Sequence, residues 1–277
     1  MKWMVEMGAE PFVAMCGVSV GVLLLIDRQR FLPRAGERSG GEGASHSHAL
    51  VVSKCCASLS FLLVALSRGI LESGDVTAPW IALGLVLGAI GDVFLLSKTK
   101  HFFLAGLASF LLGHLSYIGS SLTLPISLSW VLLGLLLLVP RSFIIWLTLR
   151  QAALAKDPNN RSAYLMGWSI IAYISVITLM VVLAIGNLGH VYEQTNGSWE
   201  TIAQVYPGVL WRVLSAEMFY FSDICVARER FVASSPLNQW IGLPLYFGAQ
   251  VLIAFFFESS SQLEGGSYLP EYLRGLQ

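Results

Sequence analysis

Ionisable side chains lie inside apolar stretches of this 277-residue chain, where inserting a charge into hydrocarbon costs roughly 2.5–3.5 kcal/mol. Carboxyl and imidazole groups in such places can transfer protons, line a path for ions or small solutes, or only bridge helices by hydrogen bonds. Two of them, Asp92 and Asp223, are the candidates for acid and base chemistry. The full set, with a lysine close to the end of its apolar stretch, is Asp92, His114, Arg141, Arg212, Glu217, Asp223 and Lys54.

The depth of each group in a membrane follows from its distance to the end of its apolar segment, at about 1.5 Å per residue. Asp92 lies five residues before the end of its segment, and Asp223 lies four before the end of its own. Lys54 approaches from the same side, so all three are expected roughly 6–8 Å below one surface. His114 and Gln250 lie twelve residues into their segments, which predicts a depth of roughly 18 Å for both.

Spacing along the helices predicts that these groups face a common pocket. Gly84, Gly88 and Asp92 recur at i, i+4 and i+8, so the carboxylate ends a stripe of small residues where another helix can pack closely. Two further polar pairs share one helix face each: His114 with Tyr117, and Tyr246 with Gln250. A polar pocket inside a helix bundle, open toward one leaflet, is therefore expected. Helix bridging by the aspartates and His114, packing by the tyrosines, and snorkelling of Lys54 to the surface remain alternatives.

The composition indicates which elements position these groups. Apolar residues make up 55% of the chain and charged residues only 12%, about half the usual charged share. This leaves too little polar surface for a water-soluble globule, so soluble Rossmann, barrel and sandwich folds are excluded. Seventeen basic and seventeen acidic residues cancel, so no overall charge recruits nucleic acid. The four cysteines have no metal-type spacing and H-E-x-x-H does not occur, so the sequence predicts no metal site. No G-x-S-x-G lies at a strand-to-helix elbow, so a serine hydrolase is not predicted either.

The hydropathy pattern predicts an all-α fold, a polytopic transmembrane helix bundle that forms a single domain over residues 1–277. Residues 34–49, rich in Gly, Ser and His, are predicted to form a flexible loop. The fifth segment contains Pro140, which predicts a kink or break there. The eight predicted spans are roughly 9–27, 50–71, 78–97, 102–122, 124–149, 163–185, 207–227 and 238–257.

The Lys and Arg residues between spans predict the orientation in the membrane. The loops after spans two, four and six contain none, so these even loops should face the lumen and the odd loops the cytoplasm. Both termini would then be lumenal, and the sequon at Asn196 would lie in the lumenal sixth loop. The basic residues of the odd loops are Arg28, Arg30, Arg34, Arg38, Lys98, Lys100, Arg150, Lys156, Arg161, Arg228 and Arg230.

Three stretches of this sequence resemble the lysoplasmalogenase family of multi-span membrane enzymes (YhhN-like). The first is GDVFLL, which contains Asp92, and the second is FFLAGLASFLLGHLSY, with Gly106, His114 and Tyr117 at the family's spacing. The third begins with Phe-Ser-Asp at 221–223, continues to Arg-Phe at 230–231 and a proline at 236, and is followed by YFGAQ at 246–250. Together they cover the chain from about residue 54 to 256, and the resemblance also implies eight spans.

The resemblance implies hydrolysis of the vinyl ether bond of lysoplasmalogens, giving a fatty aldehyde and glycerophosphoethanolamine or glycerophosphocholine. An enol ether hydrolyses when its β-carbon takes a proton and water attacks the resulting oxocarbenium ion. One carboxylic acid and one carboxylate suit this chemistry, as in glycosidases. Asp92 and Asp223 are therefore predicted to be catalytic, with no cofactor and with acid and base unassigned between them. The predicted substrate-binding residues are Lys54, for the lipid phosphate, and His114, Tyr117, Ser222, Tyr246 and Gln250.

Two functions from other classes remain open at this stage. A transporter also uses intramembrane Asp and His, but it would need access from both sides and paired broken spans. A lipid-binding protein without turnover would use the same pocket.

The expected partners are a lysophospholipid substrate within the bilayer, membrane lipids and no nucleic acid, with a homo-oligomer possible. We expect a multi-pass protein of the endoplasmic reticulum membrane.

Overall fold

The computed structural model describes residues 8–31, 40–97, 99–156 and 161–255, and within them the predicted all-α fold is confirmed. These residues contain nine helices and no strand. The helices are α1 (Glu10–Phe31), α2 (Gly40–Ser67), α3 (Ala78–Phe94), α4 (Lys100–Leu122), α5 (Leu128–Lys156), α6 (Arg161–Gln194), α7 (Trp199–Val205), α8 (Pro207–Phe231) and α9 (Pro236–Phe255).

Four of the described helices are long and apolar enough to cross a membrane, in agreement with a multi-pass membrane protein. The corresponding segments are His48–Ser67, Lys100–Leu122, Leu128–Ala152 and Ile170–Gln194. Shorter apolar helices cover Glu10–Ile26 and Ala78–Phe94. The last two predicted spans are helical as α8 and α9, but α8 carries Arg212, Glu217 and Asp223 within its length, which lowers its apolar character. The count of eight spans stays a prediction.

Two local predictions differ from the structure. Helix α2 begins at Gly40, so residues 40–49 are helical rather than part of a loop, because extending an existing helix adds one hydrogen bond per residue fixed. The remainder of that predicted loop, residues 34–39, lies outside the described residues. Helix α5 continues through Pro140, so a break at this residue is wrong, while a kink there stays a prediction. Proline is tolerated in membrane helices that pack against other helices, and Ser142, two residues further on, ties α5 to its neighbours through Thr178 and Tyr220.

Two large hydrophobic cores share α9, and a smaller third cluster joins α6, α7 and α8. One core joins residues of α1, α2, α3 and α9, with Phe61, Leu85 and Phe247 almost fully buried. The other joins α4, α5, α6, α8 and α9, with Phe219 and Tyr220 at its centre. Helices α3 and α4 pack against each other as neighbours in sequence, as do α8 and α9. The candidate polar residues lie where these two cores meet, on α2, α3, α4, α8 and α9.

Candidate active site

The Asp92 carboxylate is buried at the contact of α2, α3 and α9, with a relative exposure of 3%. On one oxygen, Oδ2, it accepts hydrogen bonds from Ser58 Oγ at 2.8 Å and from Tyr246 Oη at 2.9 Å. The ammonium of Lys54 lies 3.4 Å from the other oxygen, Oδ1. Lys54 and Ser58 are four residues apart on α2, so one helix face supplies both groups. Every polar contact of this carboxylate therefore comes from a donor.

A hydrogen-bond chain extends from Asp92 toward the far end of the bundle. Tyr117 Oη donates to Gln250 Oε1 at 2.6 Å, and Gln250 Nε2 donates to Tyr246 Oη at 3.2 Å. The small-residue stripe of α3 makes room for it: a Cβ at Gly84 would overlap the Tyr117 ring, and one at Gly88 would overlap the Gln250 amide. The structure thus brings together Asp92, Tyr117, Tyr246 and Gln250 of the predicted site.

His114 and Asp223 form a second polar pair, between α4 and α8. His114 Nε2 lies 3.0 Å from Asp223 Oδ2, with side-chain exposures of 5% and 16%. Tyr173 of α6 also interacts with Asp223 through its phenol, and its ring meets the imidazole edge to face at a centroid distance of 5.9 Å. This pair can hold one proton between an imidazole and a carboxylate, which is the arrangement of a general acid.

The ring of Phe219 separates the two polar groups. Its centroid lies 5.3 Å from that of His114, 5.6 Å from that of Tyr117 and 6.1 Å from that of Tyr246. Among the described side chains, no hydrogen bond or ion pair joins Asp92 to Asp223. The two predicted catalytic carboxylates therefore belong to separate networks on either side of one aromatic ring.

The estimated depth of His114 is corrected by its contact with Asp223. Counting residues placed His114 roughly 10 Å deeper than the aspartate, yet the two side chains touch. Helix α8 ends at Phe231 rather than near residue 227, which puts Asp223 about 12 Å from the helix end. Helix α4 begins at Lys100, which puts His114 about 21 Å from its own end. Helix ends alone therefore do not predict which side chains meet, because that depends on how α4 and α8 pack against each other.

Other candidates have contacts of their own. Ser222 Oγ donates to the carbonyl of Gly242 at 3.1 Å, so this hydroxyl ties α8 to α9 and contacts neither carboxylate. Glu217 pairs with Arg141 at 3.1 Å. Arg212, which the sequence left unassigned, donates from Nη1 to Ser120 Oγ at 2.9 Å.

The sequence did not predict Ser58 or Tyr173. Ser58 had a detectable signal, because it lies four residues after Lys54 on the same helix face. Tyr173 had none, since its role depends on the packing of α6 against α4 and α8. Among the described residues, no three His, Cys, Asp or Glu side chains come together as metal ligands would.

Comparison with known proteins shows the family of this chain. The sequence profile of the YhhN family matches residues 50–256, a range that contains every residue of both polar networks. Lysoplasmalogenase TMEM86A of Bos taurus is 26% identical over 182 residues, which cover 64% of this chain and 65% of that protein. The chain thus aligns with slightly less than two thirds of the length of this curated relative. No solved structure matches the chain.

Proposed function

This chain belongs to the YhhN family, and from that membership we propose that it hydrolyses the vinyl ether bond of lysoplasmalogens within the membrane. The products are a fatty aldehyde and a glycerophosphodiester carrying ethanolamine or choline. The similarity to a lysoplasmalogenase supports this activity. The observation that carries the proposal is the pair of buried polar networks around Asp92 and Asp223, which differ in how they can hold a proton.

Asp92 is the ionised carboxylate that acts as the base of the reaction. Two hydroxyl groups donate to its Oδ2 and the Lys54 ammonium faces its Oδ1, so both oxygens are used as acceptors. A negative charge held in this way stabilises a nearby oxocarbenium ion and can take the proton of the attacking water.

The pair of His114 and Asp223 is the proton donor. Its proton passes to the β-carbon of the enol ether, and the electron pair of the double bond forms the new C–H bond. The adjacent carbon becomes part of an oxocarbenium ion, which water attacks while Asp92 takes one of the water's protons. The hemiacetal then breaks its bond to the glycerol oxygen, which leaves with a proton as the aldehyde forms. Tyr173, through Asp223, is a positioning residue.

Substrate access is proposed from the leaflet of the odd loops. A lysolipid has one chain and can move sideways from that leaflet, with its vinyl ether only a few atoms below the glycerol. The Lys54 ammonium forms an ion pair with Asp92. The predicted contact of Lys54 with the lipid phosphate would use this same ammonium group. We place this leaflet on the cytoplasmic side of the endoplasmic reticulum membrane, from the positive-inside pattern.

The test is a substrate panel offered to purified protein in lipid nanodiscs. We expect free aldehyde from a 1-alkenyl lysolipid, and none from the matching alkyl ether or ester lysolipids, which cannot form the cation by carbon protonation. Asp223→Asn protein serves as the control for non-enzymatic hydrolysis. Fatty acid release from the ester would contradict the mechanism, and binding of the alkenyl lipid without aldehyde would indicate a lipid-binding protein.

A further inference from the structure

The guanidinium of Arg230 lies over the ring of Phe103, with its central carbon 4.5 Å from the ring centroid. Arg230 belongs to the last turn of α8 and Phe103 to the first turn of α4, so the contact joins these helices at the end of the bundle that carries the odd loops. Deeper in the bundle, the same two helices meet through His114 and Asp223. Arg230 is exposed and lies seven residues after Asp223, which puts both side chains on nearly the same face of α8.

The N–H groups of Arg230 are available to a ligand. Among the described side chains, no carboxylate pairs with this guanidinium. The neighbouring acid, Glu229, is already used, because its oxygens accept hydrogen bonds from Ser234, from the backbone of Ser235 and from Asn238. A guanidinium that stacks on a ring still presents the donors along its edge. Such a planar, partly fixed group suits a bidentate contact with a phosphate.

The length of a lysolipid matches the spacing between the proton donor and Arg230. Seven bonds connect the β-carbon of the vinyl ether to the phosphorus atom, which is roughly 8–9 Å in an extended chain. Asp223 and Arg230 are about 10 Å apart along α8. A substrate whose β-carbon receives its proton from the pair of His114 and Asp223 therefore has its phosphate at the level of Arg230.

Lys54, the phosphate-binding residue that the sequence predicts, is less suited to this role. Its ammonium lies 3.4 Å from Asp92 Oδ1. A phosphate bound there would lie beside the carboxylate, where the two negative charges repel each other, and it would compete for the only cation that pairs with Asp92 among the described residues. The pairing of Lys54 with Asp92 leaves the phosphate to a different cation, and Arg230 is on the same helix face as Asp223.

We propose that Arg230, held against Phe103, binds the phosphodiester of the lysolipid and selects vinyl ethers that carry a phosphate. The inference rests on the proposed function, because it names the substrate group that the same site recognises. The glycerol part of the lipid would lie along the side of α8 that runs from Asp223 to Arg230. A vinyl ether with a free hydroxyl in place of the phosphate would lack this contact.

The test compares the binding of two lipids that differ only in the phosphate and cannot be cleaved. The probes are a tritiated 1-alkyl-glycerophosphocholine and the 1-alkylglycerol of the same chain length, offered to purified protein in maltoside detergent, which contains no phosphate. We expect wild-type protein to bind the phosphodiester about tenfold or more tightly, as a charge-assisted hydrogen bond allows. Arg230→Gln should bring this ratio close to one, and Arg230→Lys should keep part of it, because an ammonium holds a phosphate as a point charge.

The matched control is Arg228→Gln, which removes an exposed charge from the same turn of α8 but from the other side of the helix. This variant should keep the wild-type ratio. With the alkenyl lysolipid, Arg230→Gln should raise KM by the same factor as Kd and leave kcat near the wild-type value, because Arg230 contacts neither the proton donor nor Asp92.

The outcomes separate the phosphate site from the activity. Equal binding of the two probes by wild-type protein, or an unchanged ratio in Arg230→Gln, would overturn the phosphate site. An equal loss in Arg228→Gln would also overturn it, because the preference would then come from the general positive charge of this surface. Failure of wild-type protein to release aldehyde from the alkenyl lysolipid would instead overturn the proposed function, whichever probe it binds.

Discussion

At the scale of single residues, Asp92 differs from its neighbours because three donors converge on its two oxygens. Replacing it with asparagine puts an NH₂ group against one or more of these donors. We predict that Asp92→Asn lowers kcat by at least 100-fold, in the usual range for a general acid or base. The measurement is aldehyde release from the alkenyl lysolipid by folded, lipid-binding protein.

The matched control for this change is Glu200→Gln, on an exposed side chain of α7, which should keep wild-type kcat. If Asp92→Asn retained more than about a tenth of kcat, only ~1.4 kcal/mol of transition-state stabilisation would be lost. Asp92 would then have no catalytic role.

Tyr173 provides a second test at this scale, because it reaches the reaction through Asp223 and contacts no substrate atom in this account. Tyr173→Phe removes one phenol–carboxylate interaction, worth about 1 kcal/mol. We expect kcat to fall about fivefold with KM unchanged, whereas His114→Gln should lose at least 100-fold. Equal losses in the two variants would show that Tyr173 acts directly on the substrate.

At the scale of helices, α3 positions the site through its glycines. A Cβ at Gly88 would overlap the Gln250 amide and come within 3.1 Å of Tyr246 Oη. We predict that Gly88→Ala costs about 1–3 kcal/mol, as overpacking does, and breaks the hydrogen-bond chain. Thermal unfolding in detergent, together with kcat, measures both effects.

The control for that prediction is Gly21→Ala in α1, where an added Cβ meets nothing within 4 Å. There, alanine should be neutral or stabilise the helix by up to about 1 kcal/mol. A stable and fully active Gly88→Ala protein would contradict the close packing of α9 on α3.

The sequence predicts most of this helical framework, because long apolar runs leave few alternatives to membrane helices. It also predicts the facing pairs along each helix, since residues at i and i+4 share a face. It does not predict where helices end: α8 runs to Phe231 and α2 starts at Gly40. Contacts between helices, such as His114 with Asp223, depend on how the helices pack against each other, which residue counting along single helices does not contain.

At the scale of the whole molecule, α9 lies between two cores and carries Tyr246 and Gln250 to the boundary between them. That boundary is where chemistry is proposed, with the lipid entering from the leaflet of the odd loops. The orientation stays a prediction from the basic residues of the odd loops.

Labelling of single cysteines tests the orientation in sealed membranes. The native cysteines are first replaced, and activity is checked. On this background, Thr99→Cys, in the exposed turn before α4, should react with an impermeant thiol reagent from the cytoplasmic side. Glu200→Cys, exposed in α7, should react from the lumenal side only. The reverse pattern would show that the protein has the opposite orientation in the membrane. The geometry of the two networks would be unchanged.

The central claim is that the protein adds a proton to carbon, and one measurement tests it directly. Wild-type protein is incubated with a 1-alkenyl lysolipid in deuterated water, and the released aldehyde is examined by mass spectrometry and NMR. We predict one deuterium, on the carbon next to the carbonyl, because the His114 and Asp223 pair delivers a solvent-derived proton to the β-carbon. Aldehyde without deuterium at that carbon would contradict the account.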